Sequence, residues 1–354
     1  MSDENMLCPC QSGKRYHECC FLKRKLPSDV VTRKIFNAFI LSRRKRKAAP
    51  KYCIHPNKNE CVKKIIHAHN IQHKGILNRL AIDGYVYMPE TDIFTAKLRL
   101  NQIGISNQAT VFTGFCKKHD NDVFAPIEQH PFTKTDEQLF LYAYKAFSLT
   151  YYKVNWEMKI NETLFNEYDF SNSIPFFYFR ELTLLIQKYL ELEIEKFNNV
   201  ILTRNFTCMK HHVGVLQYEV DFAVSSAFEI HCDLMEKEIT WFPYKGKLSL
   251  IYMSIFPDNG ISYYIISYFD QEENYSGLIE QLKSIPDYLL KKYLNNLIIQ
   301  NVENLVISPR LYNKWSDEQK NDFIQITQTI IENAINGIEK ENYFISRSFN
   351  LFDN

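Results

Sequence analysis

Four thiols crowd the start of the chain: Cys8, Cys10, Cys19 and Cys20 fall within thirteen residues, "CPCQSGKRYHECC". Three more cysteines, Cys53, Cys61 and Cys116, precede residue 117, and His119 follows the last by three positions. Thiolate and imidazole are ligands of tetrahedral zinc, bound at about 2.3 and 2.0 Å. In a reducing compartment such grouping signals metal more often than disulfide. Cys8 and Cys10 can grip one ion from one side, with Pro9 stiffening the turn between them. Gln11, Ser12 and Gly13 then reverse the chain. Lys14, Arg15 and Tyr16 open a helical turn that returns Cys19 and Cys20, with His17 as a substitute ligand. A module this small cannot build a core, so the metal supplies its folding energy. Cys116 and His119, one helical turn apart, can face a second ion together with Cys53 and Cys61. The Cys53–Cys61 spacing is wide for a zinc knuckle, and His55 is an alternative to either.

Between these ligand pairs lies "KIIHAHNIQ", Lys64 to Gln72. As a strand it puts His67 and His69 on one face. The two clusters also resemble known families. "CPCQSGKRYHECC" resembles the SEC-C motif, the zinc tail of a protein-translocation ATPase, with Gln11 where glycine is usual. The resemblance implies a structural zinc module. "KIIHAHNIQ" together with "FCKKHDNDVFAPIE" resembles the HNH nuclease fold, the ββα-metal finger. That resemblance implies zinc held by Cys53, Cys61, Cys116 and His119, His69 as general base, and Asp120 as oxygen ligand of a catalytic Mg or Mn. Asn121 or Asn107 would orient or share that ion. The sequence departs from the family at Ala68, where an acidic ligand is common, and at Asp120, where His or Asn is usual. About 46 residues also separate His69 from Cys116.

Positioning these groups requires a sizeable scaffold. The 354 residues are 45% hydrophobic and 14% aromatic, enough for a large core. The net charge of +1 hides an asymmetry: residues 1–130 carry 22 Lys/Arg against 11 Asp/Glu, and 131–354 carry 20 against 30. A basic front half points to a polyanion, and nucleic acid is the expected partner. Pro27-Ser28-Asp29 starts a helix expected over about 29–47. Its end, Arg43, Arg44, Lys45, Arg46 and Lys47, is the candidate nucleic-acid contact. No run of 18 apolar residues is present, so no membrane span is expected. The polar N-terminus does not read as a signal peptide, and the expected location is cytoplasmic.

Thr135 and Gln138 form a capping-box pattern that opens a helix to about 158. A second helix is expected over about 175–197. From 200 to 270 the apolar period becomes two: "VLQYEVDFAV", "EIHCDL", "KLSLIYMSIF" and "ISYYIISYF" read as strands, the last two joined by a turn at "PDNG". Helices around 275–300 and 316–340 close the chain. "GYVYM" and "FTAKLRL" are extra strands within the second zinc region. Cys208 and His211 have metal-like spacing but sit on strand-like sequence and read as packed residues.

The expected class is α+β: small zinc modules, then a C-terminal domain of antiparallel sheet and helices. The expected division is a SEC-C module at 1–24, a basic helical connector at 25–50, an HNH-like treble clef at 51–130 and an α+β domain at 131–354. That last domain is a candidate for protein binding or self-association. The reading for the whole chain is a zinc-binding, metal-dependent HNH-type endonuclease. By architectural analogy it suits bacterial phage defence. The alternative is a non-catalytic, zinc-stabilised protein that binds nucleic acid or protein.

Overall fold

The computed structural model describes residues 6–8, 10, 12–25, 49–91, 98–169, 174–240, 247–335 and 343–353. The helix expected over 29–47 and its basic run Arg43–Lys47 lie outside the described residues.

In chain order the described strands and helices begin with β1 (Arg24–Lys25), β2 (Ala68–His69), α1 (Asn78–Leu80), β3 (Tyr85–Thr91), β4 (Leu98–Gly104), β5 (Val111–Phe112) and α2 (Lys117–Glu128). Next come α3 (Asp136–Glu167), β6 (Tyr168–Asp169), α4 (Ile174–Thr203), β7 (Met209–Leu216), β8 (Phe222–Phe228), β9 (Ile251–Asp258) and β10 (Ile261–Phe269). The chain closes with α5 (Ser276–Ser284), α6 (Asp287–Asn301), β11 (Leu305–Ile307), α7 (Pro309–Lys314) and α8 (Asp317–Ile335). The class is α+β, as expected. No helix among the described residues is long and apolar enough to cross a membrane.

The chain divides into two compact units. One holds residues 1–50, 91–97 and 151–192; the other holds 51–90, 98–150 and 193–354. The larger unit is built on a seven-stranded sheet in the order β4-β3-β11-β8-β9-β10-β7. The strands expected inside the second zinc region, β3 and β4, are therefore strands of this sheet. β8 and β9 are buried almost throughout. They read as continuous apolar runs because both faces of the sheet are covered. Phe222, Val224, Met253, Ile255 and Ile266 pack with Leu294, Leu297 and Leu311 on one face. Ala223, Phe256, Ile265 and Val306 pack with Ile71, Leu77, Leu80 and Val86 on the other.

Local chemistry fixes the edges of these elements. Asn259 (φ 49°) and Gly260 (φ 87°) form the two-residue loop of the β9–β10 hairpin, with Asp258 opposite Ile261. Two successive positive φ values make the type I′ turn that matches strand twist. At the start of α3, Gln138 N donates to Thr135 Oγ1 at 3.3 Å, the expected half of the capping box. Gln138 Oε1 accepts instead from Thr133 N at 2.7 Å. Pro286 splits the helix expected over 275–300 into α5 and α6. "EIHCDL", read as a strand, is not one. Asp233 Oδ1 accepts from Met235 N and Lys237 N, both at 2.9 Å, and this turn replaces the ladder.

His211 on β7 faces Ser267 on β10, with Nδ1 and Oγ 2.7 Å apart. Its Nε2 is buried without a partner, and burial, opposed by Asp136, pushes its pKa down to about 4. The unfolded chain binds a proton here below about pH 6.5, and the folded chain resists it. Stability from this site is thus complete above pH 6.5 and falls between 6.5 and 4, by up to about 3 kcal/mol. Urea midpoints at pH 7.5 and 5.0 should show a smaller acid loss in His211→Asn than in wild type. Equal losses would exclude His211 as a source.

Two candidate metal centres and the polar groups beside the second

In the smaller unit, Gly13 at φ +73° turns the chain so that Cys8 N donates to Lys14 O at 2.8 Å and Tyr16 N to Met6 O at 3.0 Å. A short helical turn, Tyr16–Glu18, then brings back Cys19 and Cys20. The four sulfurs of Cys8, Cys10, Cys19 and Cys20 lie within 4.8 Å of one another. A tetrahedron with 2.3 Å bonds has edges of about 3.8 Å, so the group is the right size for one zinc-like ion. Ser12 Oγ donates to Cys19 Sγ at 3.3 Å. Burial pushes the Cys20 thiol up. At Cys10 burial is outweighed by hydrogen bonds from Ser12 and Cys8, which bring it to about 6. His17 is outside the group; its Nε2 lies 3.6 Å from Glu18.

The cluster packs on Ile160, Leu164, Phe165 and Tyr168. β1 pairs in parallel with β6, and Lys25 Nζ meets Asp169 Oδ2 at 2.6 Å. Tyr16 Oη donates to the same oxygen at 2.7 Å, and Lys23 Nζ to Phe165 O at 2.8 Å.

The second centre lies in the larger unit. Cys53 is held beside Thr113 and Gly114 by Tyr52 N–Thr113 O and Ile54 N–Gly114 O bonds of 3.4 and 2.8 Å. A tight turn, Lys58–Glu60, delivers Cys61, with the Lys58 ammonium donating to Cys53 O. Cys116 is the N-cap of α2, and His119 sits one turn along. Its Nδ1 is 3.4, 3.5 and 3.4 Å from the sulfurs of Cys53, Cys61 and Cys116. A tetrahedral zinc ion predicts N···S edges of about 3.5 Å, so one imidazole nitrogen and three sulfurs surround a single point at ligand distance. His55 is not a ligand. Its ring stacks on His119 at 3.7 Å and 16°, and its Nδ1 accepts from Asn57 N at 3.2 Å. Burial pushes Cys53 up to about 12 and His55 down to about 4.

β2 and β5 pair antiparallel, Ala68 with Phe112 and His69 with Val111, and α2 follows β5 directly. The order is strand, strand, helix, with the segment from Asn70 to Thr110 inserted between the strands. His69 is half-buried, its Nδ1 is 3.2 Å from Ala109 O, and burial lowers its pKa. Its ring lies 4.9 Å from that of His73. Asp120 is buried, and its Oδ1 has no hydrogen-bond partner. Burial raises its carboxyl to about 6, with Lys145 opposing the shift and Glu128 adding to it. Asn121 and Asn107 are exposed. Among the described residues the two clusters above are the sole groups of three or more Cys, His, Asp or Glu ligand atoms this close together. Cys208 and His211 join no such group.

Sequence reasoning missed the groups packed behind His69 and Asp120. Asp120, Phe124 and Glu128 lie at four-residue intervals on one stripe of α2. The Lys145 ammonium, from α3, pairs with Glu128 and lies 4.8 Å from the Phe124 ring centroid. Lys145 was visible as the sole charge between Glu137 and Lys153. Asn70 Nδ2 donates to Lys145 O at 2.5 Å, and Asn304 Nδ2 to Asn70 Oδ1 at 2.7 Å. Asn70 N donates to Thr110 O at 2.9 Å, and Thr110 has φ 59°, strained for a β-branched residue. Asn70, Gln72, Lys145, Ser225 and Ser254 line a small pocket.

The family model of the SEC-C motif matches residues 5–22. No curated protein and no solved structure matches the chain.

Proposed function

We propose that the chain is a zinc-built phosphodiesterase of HNH type that acts on nucleic acid with a divalent cation. Zinc is the metal assigned to both clusters, because four thiolates, or three thiolates and one imidazole, are the donor sets of closed structural zinc sites. The observation that carries the catalytic reading is the bond between His69 Nδ1 and Ala109 O. A ring that donates from Nδ1 to a carbonyl keeps its lone pair on Nε2. Burial holds that imidazole neutral near pH 7, so Nε2 is ready to take a proton from water.

Asp120 supplies the second support. Its unpartnered, buried oxygen fits a cation, and α2 fixes it one residue beyond a metal ligand. Asp120, with Asn121, would hold Mg or Mn, which when bound stabilises charge on the phosphate and the leaving oxygen. Asn70 is clamped on both sides by Lys145 and Asn304, and this holds the adjoining His69 in place.

A non-catalytic, nucleic-acid-binding reading is favoured by a different observation. The charged neighbour that opposes burial at Asp120 is Lys145, and Ala68 stands where the family carries an acid. Plasmid and single-stranded DNA or RNA incubated with Mg²⁺ or Mn²⁺ should be nicked by wild type. His69→Ala should be slower by about 10²–10⁴-fold, the usual worth of a general base. Both proteins should retain two zinc ions per chain. A fully zinc-loaded wild type that cuts nothing would sink catalysis and leave the binding reading.

A further inference from the structure

We infer that the face carrying Lys51, Lys63, Lys64 and Lys117, around the second metal centre, docks the sugar-phosphate backbone of a nucleic acid. The inference rests on the nucleic-acid reading above and names the residues that make the contact. The segments that build the centre, 51–67 and 111–122, hold six lysines and three acids. Asp120 is buried. The two exposed acids, Glu60 and Asp122, both fold onto Lys118, at 2.7 and 3.2 Å. Lys58 is held by the Cys53 carbonyl. That leaves Lys51, Lys63, Lys64 and Lys117 exposed, with no ion pair among the described residues.

The plain alternative is that these lysines only balance the metal centre. Three thiolates and one dication sum to −1, so a single lysine is enough and the rest are surplus. Lys117 also sits at the N-terminus of α2, where the helix dipole disfavours a cation. A docked anion would relieve that repulsion.

Two of the lysines are also set together. Lys117 N donates to Lys64 O at 3.1 Å, and Ile65 bridges to Cys116, so Lys64 and Lys117 stand on adjoining backbone segments. His69 lies five positions beyond Lys64, a reach of at most about 18 Å. A backbone lying on Lys64 therefore lies within that reach of His69. Val62 is the one large apolar residue counted as exposed in these two segments, so the face suits phosphates better than a lipid surface.

The test is binding, measured apart from cutting. Full-length protein, in buffer without added divalent ions or chelator, is titrated with labelled 30-mer single strands and duplexes between 50 and 200 mM NaCl. Four phosphate contacts predict a log–log salt slope of about −3.6 on duplex and about −2.8 on single strands. The double variant Lys63→Glu/Lys64→Glu should weaken binding at least about tenfold at 100 mM NaCl and flatten the slope by about two contacts. Lys117→Glu should flatten it by about one, and the distant Lys283→Glu should change nothing. Zinc content of two per chain verifies that the variants are folded.

Unchanged affinity in the folded lysine variants would overturn the proposal. So would a wild type that binds neither oligonucleotide, or one that binds only anionic phosphatidylserine vesicles. A wild type that binds through these lysines but never cuts would defeat the nuclease reading alone.

Discussion

Replacing Cys116 with serine is expected to remove one of two metal ions per chain and to destabilise the larger unit by about 3–5 kcal/mol, the scale for losing a structural metal or buried network. Cys116 is fully buried, caps α2 and places its sulfur 3.4 Å from His119 Nδ1. Serine offers a poorer zinc ligand and leaves Cys53, Cys61 and His119 one thiolate short of a four-ligand set. The loss should spread to α2 and to the β2–β5 pair, which a metal held at this cluster would tie to the Cys53 segment. Metal analysis of the purified variant should give one ion, and urea unfolding should shift to lower midpoint. Cys19→Ser should also leave one ion, the one held at Cys53, Cys61, Cys116 and His119. A Cys116→Ser protein that keeps both ions would dissolve the second centre.

Gly214→Ala is the other large effect. Gly214 on β7 faces Tyr264 on β10, and a Cβ on residue 214 would overlap ring atoms of Tyr264. The ring cannot move away cheaply. It is 5% exposed, packed in the core, and its hydroxyl lies 3.2 Å from His212 Nε2. Overpacking of this kind costs about 1–3 kcal/mol, and the upper end is expected here. In a Tyr264→Leu background the same change should cost less than about 1 kcal/mol, because the obstructing ring is gone. A double-mutant cycle reads that coupling directly. Equal costs in both backgrounds would show that the glycine is required for some other reason.

The two candidate ligand clusters were legible because chemistry is carried by residue type. Few side chains can serve as soft ligands, so the crowding of cysteines pointed to both clusters before their geometry was known. The β9–β10 hairpin was legible because Asn259 and Gly260 adopt a backbone that few residue pairs tolerate. Other features depended on distant partners. Nothing local to β3 and β4 says that they join a sheet otherwise formed after residue 208. β11, three residues long, is a strand only because β3 and β8 flank it. Lys145 looked like one lysine on a helix; its meaning comes from Glu128, Phe124 and Asn70, which approach it in space. The apolar period was also misleading at "EIHCDL", where Asp233 competes for the backbone and ends the ladder.

The strand order has a consequence for synthesis. β3 and β4 emerge early, yet the strand that joins them to the rest of the sheet, β11, is among the last elements to leave the ribosome. At ordinary elongation rates the nascent chain therefore carries that orphan pair for roughly tens of seconds. A message truncated before Leu305 would release a product whose β3 edge stays permanently bare, the kind of template on which chains stick to one another.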